Sequence, residues 1–536
     1  MLYDKGKFYA WVPEKLRVVL LWVMILPLLV AGGMFAANAT DMYSGLGRYA
    51  EDFAFANYCA TIGMVVAFSV IFPIKARFRS KEIVVFTFLT IALMSYLTAQ
   101  VEDPYLIALF NFVVGFVKIM GMIEVVLPVM VMISPTGDRG KFYAYFYPIS
   151  IGSGQVSAFL MAFMNYHINW QYVNYVATCV MLACALLAVV FMHNKRPGKL
   201  TPLQGIDWIS MVMLTVWMLL INYLVVNAKF EGWGISTSLK IAFGCWIITT
   251  ALFIYRQLHM KNPFLPLAVF KKRNVLTAFL LIGCMGMFSA TSTLQTGFSN
   301  LLKYDSPTNA SLNAAMLPGV VTGGFLALFL FKQNASIRWM FAISFSAFTS
   351  YAIMMYFNVA PVIQYEYLLF PAFLKGLGMA LTYIGGGFYF ANKLNPSELM
   401  KTIPLLIGVR SFISTAFFTA VFQYGLFESQ WDSIYSLVGR MDASDYAGID
   451  RGGGLSLYAS VQTQATLMAI KKVFGYLSLA GLLIIVYTLL HPYQRMHHRN
   501  VILWRKRFRR QPVDGYRKYG HSSNGNAEAA SAAAAG

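Results

Sequence analysis

The sequence predicts an all-α polytopic membrane protein with fourteen transmembrane helices. Apolar runs fill the chain from end to end, and 58% of its residues are hydrophobic while 12% are charged. Soluble domains carry about 25% charged residues. A span needs about 20 apolar residues, because in lipid every backbone hydrogen bond must close within the helix. Basic residues concentrate in alternate connections, which gives the third indication of a multi-span fold.

The predicted spans follow from the apolar runs in order. They cover 17–38, 52–74, 81–100, 104–133, 139–165, 170–193, 207–227, 237–260, 274–296, 309–331, 336–358, 363–392, 402–426 and 473–491. An even number of spans places both termini on the same side of the membrane.

The distribution of charge predicts that this side is the cytoplasm. Lysine and arginine are enriched in cytoplasmic loops, and here they cluster in the N-terminal stretch, in alternate connections and in the C-terminal tail. The net charge of +20 therefore indicates anionic lipid headgroups as the partner and not nucleic acid.

The spans divide into six, a pair and six. We expect an N-terminal six-helix bundle over 1–193, a central linker with two extra helices over 194–273 and a C-terminal bundle over 274–491. Residues 492–536 form a basic tail that we expect to be partly disordered and cytoplasmic. Two six-helix bundles are a recurrent transporter plan, with the substrate site near the midplane between the halves.

One external connection is predicted to be long. Residues 427–471 are assigned to a periplasmic loop that contains several aspartates and the run Gly452-Gly453-Gly454. Its later part, from Leu455 to Ile470, has a helical pattern. We expect partial order there, with the glycine run acting as a hinge.

Several short motifs occur in the order, spacing and membrane side of one transporter family. They are Phe72–Arg79, Asn169-Trp170-Gln171-Tyr172, Asp207-Trp208, Glu231-Gly232-Trp233, Asn262–Leu267, Leu317-Pro318-Gly319 and Arg410. Together they resemble the fourteen-helix drug:proton antiporters of the major facilitator superfamily, the EmrB/QacA type. The resemblance implies a major facilitator fold, proton-coupled multidrug efflux at the cell inner membrane, and a periplasmic adaptor and outer-membrane channel as possible partners.

The residues linked to proton coupling in that family differ in this chain. Asn38 stands at the acidic position of the first span, with Asp41 about a helical turn further on. Asn111 replaces the arginine of the fourth span, and Gly154-Gln155 replaces the Gly-Pro of the fifth. The basic loop, here with Lys75, Arg77 and Arg79 as candidate residues of a cytoplasmic gate, lacks the usual Asp-Arg. The antiport motifs are therefore degenerate.

Four ionisable residues stand out inside predicted spans, where such residues are costly and functional by default. Lys118 and Glu124 lie on the fourth span, Lys375 on the twelfth and Arg410 on the thirteenth. The alternatives are a buried ion pair for Lys118 and snorkelling for Lys375. Glu124, the one carboxylate of the four, is our candidate for the group that carries the coupling proton. Three positive charges also favour an acidic substrate.

Aromatic and small residues provide further candidates. Tyr383, Phe388 and Tyr389 lie in the glycine-rich twelfth span and could line a substrate pocket, although an interfacial aromatic belt or packing explains any one of them better. Glycines at helix-packing spacing either allow close contact or form a rocking interface. These gating or packing candidates are Gly152, Gly154, Gly319 and Gly323, with Gln155 beside them.

These features predict a secondary active transporter that exports amphipathic small molecules by alternating access, driven by protons. Alternatives are a lipid, lysolipid or organic-anion exporter, an uncoupled facilitator, and a sensor or scaffold that has lost transport. The sequence has no P-loop motif for ATP, and its five cysteines lack metal-ligand spacing. We therefore expect no cofactor, no metal and no enzymatic activity.

Overall fold

Regular structure in this protein is helical. The computed structural model describes residues 7–134, 139–194, 207–260, 267–333, 335–391, 394, 396–440 and 451–493, and over these ranges its one β-bridge joins Phe8 to Met192. Eleven helical segments in the described ranges are long and apolar enough to cross a bilayer. The chain is therefore a multi-pass membrane protein.

Six long helices form the N-terminal half. They are α1 (Glu14–Leu46), α2 (Ala50–Arg77), α3 (Ser80–Gln100), α4 (Pro104–Ile133), α5 (Arg139–His167) and α6 (Trp170–Phe191). The helix starts follow local chemistry: the Asp103 carboxylate accepts a bond from the Tyr105 amide at 3.1 Å, and Pro104 occupies the first turn of α4. A proline there loses no hydrogen bond and favours the helical φ. Helix α2 packs on α4, α3 on α6, and α1 on α5.

Two helices, α7 (Trp208–Val226) and α8 (Thr237–His259), lie between the halves in the sequence. Asp207 caps α7, and its Oδ1 accepts a bond from Arg256 of α8 at 2.8 Å. At the opposite end Gly232 and Gly234 have φ angles of 70° and 98°, a region that glycine adopts without strain. Helix α7 packs mainly on α2 and also on α16 (Ser414–Val438), so this pair contacts both halves.

The C-terminal half contains several interrupted helices. After a 3₁₀ turn (Leu267–Lys271), it consists of α9 (Arg273–Ser289), α10 (Thr291–Leu301), α11 (Ser306–Ala314), α12 (Leu317–Lys332), α13 (Ile337–Asn358), α14 (Glu366–Ala391), α15 (Pro396–Gly408), a π-helical turn (Val409–Ile413), α16 (Ser414–Val438) and α17 (Arg451–Leu490). The pairs α9/α10 and α11/α12, and the run from α15 to α16, each correspond to one predicted span.

The two halves meet along two helices of the N-terminal half. Helix α5 packs on α11, α12 and α14, and α2 packs on α15 and the π-helical turn. At Gly324 of α12, an added Cβ would lie 2.6 Å from Pro148 of α5. This position therefore needs glycine for the halves to approach each other so closely.

The multi-span, all-helical fold is confirmed, whereas the count of fourteen stays a prediction. Three helices besides the eleven, α1, α2 and α5, coincide with predicted spans and have 33, 28 and 29 residues. The domain boundaries also stay predictions, because parts of both linkers, 195–206 and 261–266, lie outside the described residues.

Within the predicted loop over 427–471, the helix at Leu455–Ile470 agrees with the expected helical pattern, whereas the helix at 427–438 and the position of the glycine run inside a helix correct the expectation. Helix α16 continues to Val438 and α17 begins at Arg451, with the glycine run inside its first turn. Between Leu426 and Val438 there is no glycine or proline to end the helix. Gln430 donates a hydrogen bond to Thr466 at 2.9 Å, which joins the two helices beyond their apolar segments.

The C-terminal tail forms a separate unit, Leu489–Gly536. The expectations about 492–536 fall outside the described residues from position 494 onward.

Candidate functional site

The first candidate site is centred on Arg410 and contains residues from both halves. Its guanidinium carbon lies 4.7 Å from the ring centre of Tyr383 on α14 and 5.6 Å from that of Tyr147 on α5. The two tyrosine rings stack at 5.8 Å with an interplanar angle of 18°. An arginine over aromatic faces is held by cation–π attraction, which is worth about 2 kcal/mol or more when desolvated.

Arg410 lies in the π-helical turn Val409–Ile413, between α15 and α16. Such turns insert a residue into the helix and occur frequently at functional sites. No carboxylate of the described chain lies within ion-pair distance of the guanidinium. The charge therefore has aromatic and hydroxyl partners, the Ser411 hydroxyl among them at 3.5 Å from Nε, but no counter-ion that would oppose an anionic ligand.

Tyr147 was missed by the sequence analysis, although it provides the contribution of the N-terminal half. The signal for it was present as an aromatic cluster on the fifth span, in which Tyr143 and Phe146 precede Tyr147. The rings of Tyr143 and Tyr147 are 5.5 Å apart. Without a structure, nothing distinguished these rings from an ordinary packing cluster.

The three aromatic candidates of α14 have different neighbours in the structure. Tyr383 faces Arg410, as described above. Phe388 packs against Phe331 of α12, with ring centres 5.0 Å apart, and Tyr389 packs against Phe341 of α13 at 6.4 Å. Phe388 and Tyr389 thus contact helices of their own half, away from the ring pair at Arg410.

Lys118 and Lys375 are both buried, each with 7% of its side chain exposed. Lys118 donates to the backbone carbonyl of Leu29 on α1 at 3.4 Å. Lys375 lies 5.5 Å above the ring of Tyr351 on α13, so it does not snorkel toward an interface. Among the described residues neither lysine meets a carboxylate.

Glu124 is engaged in an ion cluster level with the end of α2. Its Oε2 accepts bonds from Lys7 at 2.6 Å and from Ser80 at 2.7 Å, and its Oε1 lies 3.0 Å from Lys75. Lys118 does not pair with it, in agreement with their separation around the helix. These contacts hold a negative charge in place, so they give no support to the prediction that Glu124 carries the coupling proton.

Lys7 reaches Glu124 because the segment before α1 runs antiparallel to the end of α6. The His193 amide donates to the Lys7 carbonyl at 3.0 Å, and Phe8 beside it is 2% exposed. Burial lowers the pKa of the Lys7 ammonium, while the Glu124 carboxylate opposes that effect. The N-terminal segment is therefore anchored under the first six helices by one ion pair and one buried ring.

The predicted gate loop is shorter in the structure than in the sequence analysis. Lys75 and Arg77 lie in the last turn of α2, so the connection to α3 consists of Phe78 and Arg79. The Arg79 amide donates to Glu82 at 3.0 Å, and its guanidinium pairs with the same carboxylate at 3.6 Å. These bonds begin α3, which gives Arg79 a structural role.

The positions that differ from the antiport motifs are located as follows. Asn111 is buried and donates to the Ala56 carbonyl of α2 at 3.2 Å, a packing contact. Gln155 is half-buried on α5. The backbones of Asn38 and Asp41 belong to α1, whereas their side chains lie outside the described part of the chain.

The glycine candidates fall into two groups. An added Cβ at Gly319 would lie 1.9 Å from the Phe373 carbonyl oxygen, and one at Gly323 would lie 2.8 Å from Ala380, so both allow α12 to pack on α14. At Gly152 the nearest atom would be Leu317 of the other half, at 3.4 Å, and Gly154 has nothing within 4 Å. Gly152 thus lies at the contact between the halves.

An apolar groove of about 700 Å³ lies beside this contact. Helices α1, α5 and α6 form one wall and α12 forms the other. The lining includes the exposed side chains of Leu160, Val321 and Phe325. The Ser157 hydroxyl in the lining donates to the Gly154 carbonyl at 3.0 Å. The groove therefore presents hydrocarbon on the flank of the molecule.

Among the described residues, no group of three His, Cys, Asp or Glu side chains is placed to hold a metal ion.

Comparison with solved structures shows the fold class. The chain is similar to a crystal structure of the nucleoside transporter NupG (TM-score 0.53, 12% identity, covering 87% of this chain and 98% of that one). It is also similar to a peptide transporter POT in complex with sulfate (TM-score 0.53, 16% identity, covering 90% and 96%). The protein therefore has a transporter fold.

Sequence comparison finds distant transporter relatives. An uncharacterized transporter of Saccharomyces cerevisiae is 24% identical over 199 residues, 37% of this chain and 36% of the yeast protein. The lincomycin resistance protein LmrB of Listeria monocytogenes is 22% identical over 236 residues, 44% and 48% of the two chains. The chain thus matches less than half the length of these relatives, and no protein-family model matches it.

These relatives and structural neighbours are transporters and not enzymes. They support the transporter superfamily that the motifs indicated. The narrower resemblance to the fourteen-helix drug:proton antiporters stays a prediction.

Proposed function

We propose that this protein is a secondary active transporter of the cell inner membrane that exports amphipathic small molecules in exchange for protons. In this proposal it has fourteen spans and both termini in the cytoplasm. The observation that carries it is the Arg410 site, because a cation with no described counter-charge lies where the two halves of a transporter fold meet.

The geometry suits alternating access between two halves. Tyr147 belongs to one half and Tyr383 and Arg410 to the other, so any rocking of α5 against α14 changes the contact of the guanidinium with one ring and not with the other. A ligand that inserts between the stacked rings would pair with the cation and separate the tyrosines. Substrate binding is thereby coupled to the interface that must open.

The apolar groove, which shares helix α5 with the Arg410 site, would take the hydrophobic part of such a substrate. Its walls come from both halves and its lining is apolar, so an amphipathic molecule can enter from the bilayer with its hydrocarbon portion first. The lincomycin resistance protein among the relatives supports a drug-like compound as one substrate class.

A second candidate is an exporter of lipid-like organic anions. It is favoured by the three positive side chains, Lys118, Lys375 and Arg410, none of which meets a carboxylate in the described residues. A lateral apolar groove also fits an acyl chain. An uncoupled facilitator, or a sensor or scaffold that has lost transport, has no specific observation in its favour.

The proposed adaptor partnership rests on the family resemblance and on one structural feature. Helices α16 and α17 extend past their apolar segments and are joined by Gln430 and Thr466. On the predicted topology this extension faces the periplasm, where an adaptor for an outer-membrane channel would bind.

The test is transport by purified protein in liposomes with an imposed pH gradient. We would measure uptake of lincomycin, of the cation ethidium and of the anion lysophosphatidylglycerol into inside-acidic vesicles. Uptake of lincomycin or ethidium that collapses with nigericin supports drug:proton exchange, and uptake of the lysolipid alone supports the second candidate. If no probe moves above empty liposomes in these assays or in an efflux-deficient host, transport of both classes is contradicted.

A further inference from the structure

The two buried lysines occupy equivalent positions in the two halves. Lys118 lies in the sequence Phe116-Val117-Lys118-Ile119-Met120-Gly121-Met122, and Lys375 lies in Phe373-Leu374-Lys375-Gly376-Leu377-Gly378-Met379. Both segments share Phe, Lys, Gly and Met at the same four positions. Each belongs to the fourth span of its six-span half, α4 in one and α14 in the other. Internal repeats of this kind are a feature of many transporter folds.

Packing around the two segments confirms that the equivalence is structural. Gly121 faces Thr87 of α3, where an added Cβ would lie 2.6 Å away, and Gly378 faces Phe348 of α13, where it would lie 3.0 Å away. Helices α3 and α13 are each the third span of their half. The lysine three residues before each glycine therefore stands beside the same kind of contact, between the fourth and the third span of its half.

Each lysine also has a neutral environment. Lys118 donates one hydrogen bond, to a backbone carbonyl at 3.4 Å. Lys375 lies over the ring of Tyr351, and the Tyr351 hydroxyl is 3.0 Å from the hydroxyl of Thr291 on α10. A buried ammonium without a counter-charge is costly, and such a group tends to become neutral instead. Two residues of this kind at repeat-related positions are unexpected if packing alone selects side chains, because leucine or methionine would fill either site.

Apart from Glu124, six residues after Lys118 on α4 and paired with Lys7 and Lys75, the charged groups of the surrounding helices lie near the helix ends. Around Lys118 the described ones are Glu14, Lys15, Arg17, Glu51, Asp52, Lys75, Arg77, Lys81 and Glu82 on α1 to α3, and Arg139 and Lys141 on α5, which packs on both α4 and α14. Around Lys375 they are Arg273, Lys332, Arg338 and Glu366, with Lys471 over Tyr356 on α17. None of them forms an ion pair with either lysine among the described residues.

We propose that Lys118 and Lys375 are the two proton carriers of this transporter, one in each half, in place of the carboxylates that its motifs lack. This inference rests on the proposed proton-driven transport and names the groups that perform the coupling. Each amine takes a proton from water when the transporter opens to one side, keeps it as an ammonium through the change of state, and returns it to water on the other side. On the return leg the amine is neutral and the substrate is bound.

The arrangement explains how protonation would drive the change of state. An ammonium formed at either position has no anion in the packed half, so it favours the conformation in which water reaches it. Substrate and protonation therefore act on the same two-state equilibrium, which is the requirement for exchange.

The protonation state can be measured without knowing the substrate. Full-length protein labelled with ¹⁵N at lysine Nζ is reconstituted in bilayers and examined by solid-state NMR from pH 5 to 10. As the pH is raised, we expect two upfield signals of neutral amines to appear before those of the exposed lysines, one absent in Lys118→Arg and the other in Lys375→Arg. The exposed Lys240 provides the control, since Lys240→Arg removes an ammonium signal and leaves both upfield signals.

Transport then tests whether these groups couple. In liposomes, lincomycin uptake driven by the pH gradient should fall at least tenfold in Lys118→Met and Lys375→Met, while lincomycin counterflow without a gradient stays within twofold of the unmodified protein. Ammonium signals alone across the pH range, or neutral-amine signals unchanged by both arginine variants, overturn the inference whether or not lincomycin moves. Equal losses of counterflow and gradient-driven uptake also overturn it. Absence of lincomycin transport with the two neutral amines present contradicts the drug-export proposal instead.

Discussion

The charge cluster at Glu124 and the aromatic site at Arg410 show two ways in which this membrane protein buries charge. Glu124 is surrounded by Lys7, Lys75 and Ser80, so its charge is matched by contacts within the N-terminal half and its N-terminal segment. Arg410 has two tyrosine rings, one from each half, and no carboxylate among the described residues. An ion pair such as that of Glu124 stabilises the structure. A charged side chain without a counter-ion, placed between the two halves as Arg410 is, can pair with a charged ligand.

Charged residues in the spans differ more in the structure than in the sequence. In the sequence Glu124, Lys118, Lys375 and Arg410 are alike, because each is a costly group that indicates function. The contacts separate them into one anchored carboxylate and three cations without described counter-ions. The cations carry the functional proposals, and the carboxylate has a structural alternative.

The largest expected effect comes from removing the Arg410 charge. Arg410→Gln should reduce substrate export by at least about 100-fold, the scale of loss when a group that positions a substrate is removed. Accumulation of the transported probe in an efflux-deficient host measures this, with membrane expression checked for each variant. Arg338→Gln, at the start of α13, is the matched control and should transport normally. Normal export by Arg410→Gln would contradict the proposal that Arg410 binds the substrate.

Breaking the Glu124 cluster should instead cost stability. Glu124→Gln leaves Lys7 and Lys75 without their partner, and removing one member of a buried pair costs about 3–5 kcal/mol. The exposed pair of Arg79 and Glu82 provides the control, because Glu82→Gln should cost about 0–1 kcal/mol. Thermal unfolding of the purified variants in detergent measures both.

The same variant tests the hypothesis that Glu124 carries the coupling proton. We expect folded Glu124→Gln protein to keep transport driven by the pH gradient, measured per folded molecule. Loss of gradient-driven uptake with counterflow intact would support the coupling hypothesis for Glu124 and contradict the structural role.

Close packing within the C-terminal half predicts a smaller effect that differs between two glycines. Gly319→Ala would place a Cβ 1.9 Å from the Phe373 carbonyl oxygen, and overpacking of this kind costs about 1–3 kcal/mol. Gly154→Ala meets no atom within 4 Å and should be neutral or stabilising by up to about 1 kcal/mol, since alanine favours the helix. Equal melting temperatures for the two variants would contradict the close contact of α12 with α14.

The smallest effect concerns the link between α7 and α8 and depends on pH. Burial alone would raise the pKa of Asp207, but hydrogen bonds from Ser210 and Arg256 outweigh it and hold the pKa below its usual value. The contribution of Asp207 is therefore complete above the pKa of the unfolded chain, near 3.9, and is lost as the pH falls through the lower folded value.

Asp207→Asn keeps a good helix cap and removes the pair with Arg256. We expect a loss of about 0.5–1 kcal/mol at neutral pH and a smaller dependence of stability on acid. Unfolding measured at pH 7 and pH 3 checks this, and an unchanged acid dependence would show that the ion pair contributes nothing.

The sequence predicted the fold far better than the site. Apolar run length determines whether a segment can span lipid, so the helices from Trp170–Phe191 to Glu366–Ala391 coincide with predicted spans within a few residues at most ends. The helical pattern of Leu455–Ile470 was predicted correctly, but residues 427–438 were wrongly assigned to a loop because polar residues were taken for loop, although nothing in Leu426–Val438 ends a helix. Polarity there indicates only that the helix leaves the membrane.

The site residues were harder to predict than the helices, because the residues that contact one another are far apart in the sequence. Arg410 and Tyr383 were candidates from the sequence, but their contact with Tyr147 depends on how two halves pack. Glu124 was taken for an isolated carboxylate because its partner Lys7 is 117 residues away. The spacing of residues around helix α4 excluded an ion pair between Glu124 and Lys118. It gave no information about Lys7, which lies far away in the sequence.

The most direct test of the central claim is uptake into liposomes by the unmodified protein and by Arg410→Gln, with an inside-acidic gradient and with no gradient. The account predicts gradient-dependent uptake of an amphipathic probe by the unmodified protein, and loss of that uptake in the variant. Equal uptake by both proteins, or uptake by the unmodified protein that is unaffected by nigericin, would contradict it.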